Sequence, residues 1–291
     1  MSGPKTRAAR WLCLLCLTLC AALLLALCAC QPPSNSKVRV IGSSFGSYSI
    51  AKMVAGDHAV VNLMSTQDAD PHGYELDSFA IANLGHADLL LTMGQDIDEW
   101  LPDSQKSIDR AGTIVLDLSA SGDAHRLLLP GEAAAFALEV GEQLGQLDED
   151  HREDYASAAQ TLFEAFEALD VRLRDAVASM PALAVFGANP FDCAKEALGV
   201  TLVAVRQSCD QEDVVWEKED MDAAREAGAA VLLYTERDDE IQALALAQEL
   251  EVPAVLWHTL HMLPKQQREQ GATALTLLEQ TVTALENEQE E

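Results

Sequence analysis

Short apolar segments of strand-like composition alternate with amphipathic segments along most of this chain. In the first part, strands are predicted at 37–44, 58–65, 88–94 and 113–119, and helices at 48–57 and 77–87. This order of strands and helices favours a parallel sheet with helices covering both of its faces.

The pattern then changes and later resumes. Segment 148–180 keeps apolar residues at spacings of three and four, which predicts one long amphipathic helix that Pro181 ends. Beyond it, strands are predicted at 182–187, 201–206, 229–236 and 252–258, and helices at 190–200, 217–228, 238–251 and 266–288.

These segments divide the chain into two α/β lobes, 37–147 and 181–291, joined by the long helix 148–180. Ligands of open parallel sheets bind beyond the carboxyl ends of the strands, and two facing lobes form a cleft between them. We therefore expect the functional residues in the loops that follow the strands. These are the loops around His72, His125, Asn189, Glu236 and His258.

The first thirty residues differ from the rest. Three basic residues precede an uncharged apolar run over 11–29, as in a secretory signal peptide. The run is also long enough to be a plain membrane anchor. The segment "LCAC" at 27–30 looks like a lipobox, which implies that 1–30 is a lipoprotein signal peptide and that Cys30 carries lipid. Polar residues 31–36 would then form a tether.

Two cysteines would remain in the mature chain beside Cys30, namely Cys193 and Cys209. An extracytoplasmic compartment permits a disulfide between them. Whether they pair or stay as two buried thiols depends on a distance that the sequence does not give.

The chain is strongly acidic, with a net charge of −28, or −31 once the three basic residues of 1–30 are removed. Such a charge argues against nucleic acid as a partner, because phosphate binding needs a basic surface. It suits a protein that attracts cations. It also suits a protein that uses charge for solubility alone.

Three of the seven histidines, His72, His125 and His258, fall where predicted strands end, and they come from both lobes. Histidine is the commonest metal ligand in proteins. For a single loop histidine, a hydrogen-bonded or solvated side chain is the ordinary role. The joint placement favours a metal site in the cleft.

The segment "DADPHGYELDSFAIANLGHADLLLTMG" at 68–94 resembles the first ligand loop of metal-specific solute-binding lipoproteins of bacterial ABC importers. In that family a D-P-H-x-Y-E loop precedes a helix and an "ADL" strand. The resemblance implies that His72 is a metal ligand. "GDAHRLLLPGEAAAFALEVGEQL" at 122–144 resembles the second ligand segment and implies His125, although Ala124 replaces a proline and Leu127 a tryptophan.

The second lobe departs from the family pattern. The segment "FGANPFDCAKEALGV" at 186–200 has Ala188 at the third ligand position and Asn189 beside it. The resemblance places His258 at the fourth ligand position and Glu236 at a strand-ending glutamate that does not bind metal directly. The expected ligands are therefore His72, His125 and His258.

Other groups could complete or orient this metal site. Asn189, Glu236, His261 or water could supply a further ligand. Asp70, Glu75 and Asp123 could hold the imidazole N–H groups.

Three neutral imidazoles favour Zn²⁺ over Mn²⁺, which prefers oxygen ligands, and Mn²⁺ or Fe²⁺ stays a possible cargo. The resemblance implies a monomeric, lipid-anchored receptor on the extracytoplasmic face that delivers the metal to an ABC permease and has no enzymatic activity. An adhesin, or a degenerate member with weak metal binding, is the alternative. Zinc held by three histidines would also suit a hydrolase, but the sequence lacks an H-E-x-x-H segment.

Overall fold

Four short parallel strands form the sheet of the N-terminal lobe in the order β2-β1-β3-β4: β1 Arg39–Gly42, β2 Val60–Leu63, β3 Leu89–Thr92 and β4 Ile114–Asp117. The computed structural model describes residues 37–289 except 65–71, 96, 122–124, 187–190, 206, 209–214, 237 and 264. Helices α1 Phe45–Ala55, α2 Ser78–Leu84 and α3 Leu101–Ala111 belong to this lobe. Every residue of β3 is buried, as expected for a parallel strand covered on both faces.

Two antiparallel helices follow, α4 Pro130–Leu147 and α5 Arg152–Ala178, joined by a 3₁₀ turn over Glu149–His151. The long helix expected at 148–180 is thus present and begins at Arg152. No element was predicted for 130–147, where α4 lies. The two helices approach closely at Gly141, because a Cβ at that position would lie 2.6 Å from the Cβ of Ala159.

The C-terminal lobe has a second parallel sheet in the order β10-β9-β5-β6: β5 Ala182–Phe186, β6 Leu202–Val205, β9 Ala229–Tyr234 and β10 Ala254–Leu256. A short antiparallel pair, β7 Gln207–Ser208 and β8 Val215–Trp216, lies between β6 and β9 in the chain. The helices are α6 Asp192–Leu198, α7 Lys218–Glu226, α8 Glu240–Leu250, α9 Lys265–Glu269 and α10 Ala274–Asn287.

Two helices belong to the cores of both lobes. In α5, Phe166 packs in the N-terminal core and Leu173 in the C-terminal core. In α10, Leu277 joins the N-terminal core, whereas Leu285 joins the C-terminal one. Residues of the predicted C-terminal lobe 181–291 therefore also stabilise the other lobe, and both lobes lie within one compact unit, Val38–Glu291.

Several predicted features lie outside the described residues: the signal peptide 1–30, the tether 31–36, the lipidated Cys30, and Cys209. Cys193 is partly buried against the C-terminal core. Within the described part of the chain, no helix is both long enough and apolar enough to cross a membrane.

Candidate metal centre

The side chains of His72, His125 and His261 converge on one point. Each offers a potential ligand atom, and these atoms all lie within 4.8 Å of one another. The ring centres are separated by 6.1 Å (His72–His125), 5.2 Å (His72–His261) and 4.8 Å (His125–His261). Three imidazoles around a tetrahedral ion, with metal–nitrogen bonds of about 2.1 Å, have ring centres about 5 Å apart. The spacing therefore fits a shared ion after a small contraction.

His72 follows β2 and comes just before a well-fixed helix start. Gly73 has a φ of +68°, a conformation that favours glycine. Asp77 then caps α2 by accepting hydrogen bonds from the N–H groups of Phe79 at 2.9 Å and Ala80 at 2.7 Å. These contacts fix the chain on one side of His72. The side chain itself is partly buried.

His125 follows β4 and begins a turn that is held between the two cores. The carbonyl of His125 accepts a hydrogen bond from the N–H of Leu128 at 3.0 Å. Leu127 packs in the N-terminal core and Leu128 in the C-terminal core. The indole N–H of Trp257 donates to the carbonyl of Leu128 at 3.0 Å. The backbone beside His125 is thus fixed from both lobes.

His261 comes from the loop after β10, and this loop lies against the start of α1. The N–H of Phe45 donates to the carbonyl of His261 at 3.0 Å, and that of Gly46 to the carbonyl of Leu260 at 2.7 Å. A Cβ on Gly46 would lie 3.0 Å from the Cβ of Leu260, so a side chain at this position would crowd the contact. His261 is 2% exposed. A candidate ligand from the second half of the chain is therefore attached to the N-terminal lobe.

The structure does not place His258, the expected third ligand, in this cluster. His258 is 8% exposed, and its backbone N–H donates to Thr281 Oγ1 at 3.3 Å. Burial lowers the pKa of His258 to about 4, so its ring is neutral at neutral pH. The difference arises because β10 ends at Leu256, two residues before the predicted end of the strand. Residues beyond Leu256 form a loop, and His261 of that loop reaches the other two histidines.

Among the remaining candidate residues, those in the described part of the chain do not add a ligand to the cluster. Glu75 is exposed and lines a cleft of about 570 Å³ with Tyr74 and Trp100. Glu236 contacts the loop that carries His261. Asp70, Asp123 and Asn189 lie outside the described residues, as does Ala188. Within the described part of the chain, His72, His125 and His261 are the one group of three His, Cys, Asp or Glu side chains whose ligand atoms converge.

The segment Gly42–Gly46 matches the G-x-S-x-G pattern of serine hydrolases and lies between a strand and a helix. In a nucleophile elbow the serine lies on a strained turn with its hydroxyl exposed. Ser44 instead has an extended backbone with φ −114° and is buried, and its Oγ caps α1 by accepting from the N–H of Ser47 at 3.2 Å. Its hydroxyl therefore acts as a helix cap.

Comparison with known proteins identifies the family to which the chain belongs. The family profile described as zinc-uptake complex component A, periplasmic, matches residues 40–288. The zinc-binding lipoprotein AdcA of Streptococcus pneumoniae is 33% identical over 118 residues, which are 40% of this chain and 23% of that relative. The iron-binding protein YfeA of Yersinia pestis is 27% identical over 164 residues, which are 52% of this chain and 53% of that relative.

A solved structure confirms the predicted fold class of two parallel-sheet lobes joined by a long helix. The Zn(II)-bound ZnuA-like domain of Streptococcus pneumoniae AdcA matches with a TM-score of 0.73 and 20% identity, covering 88% of this chain and all of that domain. Since the family profile covers most of the chain, the protein belongs to the family of periplasmic zinc-uptake components, which bind metal for transport and are not enzymes.

Proposed function

We propose that this protein captures Zn²⁺ outside the cytoplasm through His72, His125 and His261 and delivers it to the permease of an ABC importer. The convergence of three imidazoles at the cleft carries the proposal, since their ring spacing suits one tetrahedral ion. Family membership supports uptake as the purpose of that binding.

Zinc is the cargo that this ligand set favours. Neutral imidazole nitrogens suit Zn²⁺, whereas Mn²⁺ favours carboxylate and water oxygens. One relative is named a zinc-binding protein and another an iron-binding protein, so Mn²⁺ and Fe²⁺ are the competitors to test. The net charge of −28 raises the local concentration of any dication and leaves the choice among them to the ligands.

The location follows from the first residues of the sequence. We propose that 1–30 is a lipoprotein signal peptide, that Cys30 carries the lipid and that 31–36 is a tether to the membrane surface. The lipobox-like "LCAC" at 27–30 supports this, and a relative is named a lipoprotein. The proposed lobes are 37–147 and 181–291, and the protein acts as a monomer.

Elemental analysis of the purified protein, followed by competitive titration of Zn²⁺ against Mn²⁺ and Fe²⁺, tests the cargo. We expect one zinc ion per chain and a clear preference for zinc. A protein that takes up no zinc, or that binds manganese more tightly, would contradict the proposal. Delivery is tested by zinc-limited growth of a strain that lacks the protein, rescued by the wild type and not by His72→Ala.

A further inference from the structure

The turn that presents His261 has an unfavourable backbone conformation. Leu260 has a φ of +62°, in the left-handed region that residues other than glycine seldom adopt. Its side chain is 1% exposed and packs in the N-terminal core. A strained residue directly before a ligand persists only where its surroundings hold it, so the contacts of this turn are informative.

The turn Thr259–His261 is held from both lobes. Its carbonyl groups accept hydrogen bonds from α1 of the N-terminal lobe, and the N–H of Thr259 donates to a residue of the C-terminal lobe. Glu236 follows β9, and its Oε2 accepts a hydrogen bond from the N–H of Thr259 at 2.9 Å. Its Oε1 accepts from the hydroxyl of Thr259 at 2.6 Å. Both carboxylate oxygens thus bind the turn. Thr259 is itself fully buried, so these bonds form away from bulk water and are strong.

Both side-chain oxygens of Glu236 face hydrogen-bond donors of the turn. Burial raises the pKa of Glu236, while hydrogen bonds from Thr259 and from the backbone of His261 oppose that rise. Outer partners that fix the orientation of a ligand commonly change metal affinity by about 10- to 100-fold.

We infer that Glu236 is the positioning residue of the metal site: its carboxylate holds the Thr259–His261 turn in the conformation that brings the His261 imidazole to His72 and His125. The inference rests on the proposed function, because it assumes that His261 binds the metal. Glu236 itself stays outside the ligand set and acts through His261.

The substitution Glu236→Gln tests this role in the full-length protein, since glutamine keeps the volume and replaces one acceptor oxygen with an N–H donor. We expect zinc affinity, measured by competition with a chromophoric chelator, to fall by about 10- to 100-fold. We also expect the visible absorption of the Co²⁺-loaded variant to weaken, because water molecules that replace a displaced His261 would raise the coordination number above four. Glu249→Gln, at an exposed glutamate of the same lobe, should match the wild type in both measurements.

Two results would overturn the inference. Glu236→Gln with wild-type zinc affinity and an unchanged Co²⁺ spectrum would do so, even if its metal-free melting temperature fell, since that pattern marks a purely structural residue. If Glu236→Gln does not fold, Thr259→Val removes the hydroxyl that donates to Glu236 and accepts from the N–H of His261 at 3.4 Å, and unchanged zinc binding by that variant would overturn it equally. A wild-type protein that binds no zinc would instead overturn the proposed function, and this inference with it.

Discussion

The two lobes have the same strand order but contribute unequally to the metal centre. In each sheet the first strand along the chain lies between the second and the third, and the fourth lies beyond the third. β4 and β10 are therefore equivalent, and so are β3 and β9. His125 follows β4 and His261 follows β10, so two of the three histidines come from equivalent loops.

The loops after the third strands, β3 and β9, each carry an acidic residue, but the two residues bind different partners. In the N-terminal lobe, the Oδ2 of buried Asp98 accepts from the hydroxyl of Ser43 at 2.8 Å and from the N–H of Met93 at 2.7 Å. Both partners belong to the same lobe. In the C-terminal lobe, the equivalent loop supplies Glu236, which binds the turn carrying His261.

The shared strand order thus gives the two lobes equivalent loops, and the packing of each loop determines whether it contributes to the metal centre. His261 becomes part of the centre because Leu260 enters the N-terminal core and α1 holds the carbonyls of the turn. As a result, all three histidines contact the N-terminal lobe, although His261 comes from the second half of the chain and the C-terminal lobe also helps to hold His125 and His261. Four predictions test this unequal arrangement.

The strongest test removes the histidine that comes from the second half of the chain. Structural zinc sites bind with about 10–16 kcal/mol, so losing one of three protein ligands should cost about 4 kcal/mol, or about 1000-fold in affinity. We expect this loss for His261→Ala in a competitive zinc titration. His258→Ala, three residues away, should stay within a few-fold of the wild type. The reverse ranking would restore His258 as the ligand.

The sequence predicts where the ligand loops lie better than which side chain each loop presents. Apolar segments of six to eight residues mark the predicted strands, and His72 and His125 lie in the loops that follow two of them. The loop after β10 is different, because its course depends on Trp257 bonding to Leu128 and on Leu260 entering the other lobe. These contacts join residues more than a hundred positions apart, and no local pattern reports them.

Other parts of the fold also cannot be predicted from local sequence patterns. A positive φ is not expected at a leucine, so the sequence does not predict the turn at Leu260. Helix α4 begins Pro-Gly-Glu-Ala-Ala-Ala, and its small residues blur the three- and four-residue periodicity that marks an amphipathic helix. The division of α10 between two cores follows from long-range packing, so a boundary placed at 181 does not separate the cores.

A second test concerns the strained turn. Leu260→Ala removes a fully buried side chain and should lower the free energy of unfolding by about 3 kcal/mol. Leu260→Gly loses the same contacts, but glycine adopts a φ of +62° without strain. We therefore expect the glycine variant to be about 1 kcal/mol more stable than the alanine variant in urea unfolding. An alanine variant that is the more stable of the two would show that the turn is not strained.

A third test separates the two equivalent acidic loops. Burial raises the pKa of Asp98 to about 6, above its value in the unfolded chain. The folded state then binds more protons between about pH 4 and pH 6, so this residue's contribution to stability falls by about 2 kcal/mol as the pH rises from 4 to 7. In urea unfolding, the stability of Asp98→Asn relative to the wild type should therefore increase over that range.

Asp103→Asn, at an exposed position on α3, is the matched control and should show no such trend. Zinc affinity should be unchanged in Asp98→Asn, in contrast to Glu236→Gln. A loss of zinc binding on replacing Asp98 would show that the two acidic loops are used alike, and the proposed difference between the lobes would then be wrong.

The smallest effect is expected at a second pair of histidines, which lies at the opposite edge of the N-terminal sheet. His58 precedes β2 at its amino end, and its ring centre is 4.1 Å from that of His151. A carboxylate already faces one nitrogen of each ring: His58 Nε2 lies 3.4 Å from Asp154, and His151 Nδ1 lies 2.8 Å from Asp148. The rings are closer together than the about 5 Å expected around one tetrahedral ion.

We therefore expect the double variant His58→Ala/His151→Ala to bind zinc with the stoichiometry and affinity of the wild type. Both side chains are partly exposed, at 38% and 40%, and exposed ion pairs contribute about 0–1 kcal/mol. The free energy of unfolding should fall by no more than that. Isothermal titration calorimetry with zinc at neutral pH measures both the stoichiometry and the affinity. Loss of a zinc equivalent in the double variant would show that two histidines in contact are enough to bind zinc, even away from the carboxyl edge of the sheet.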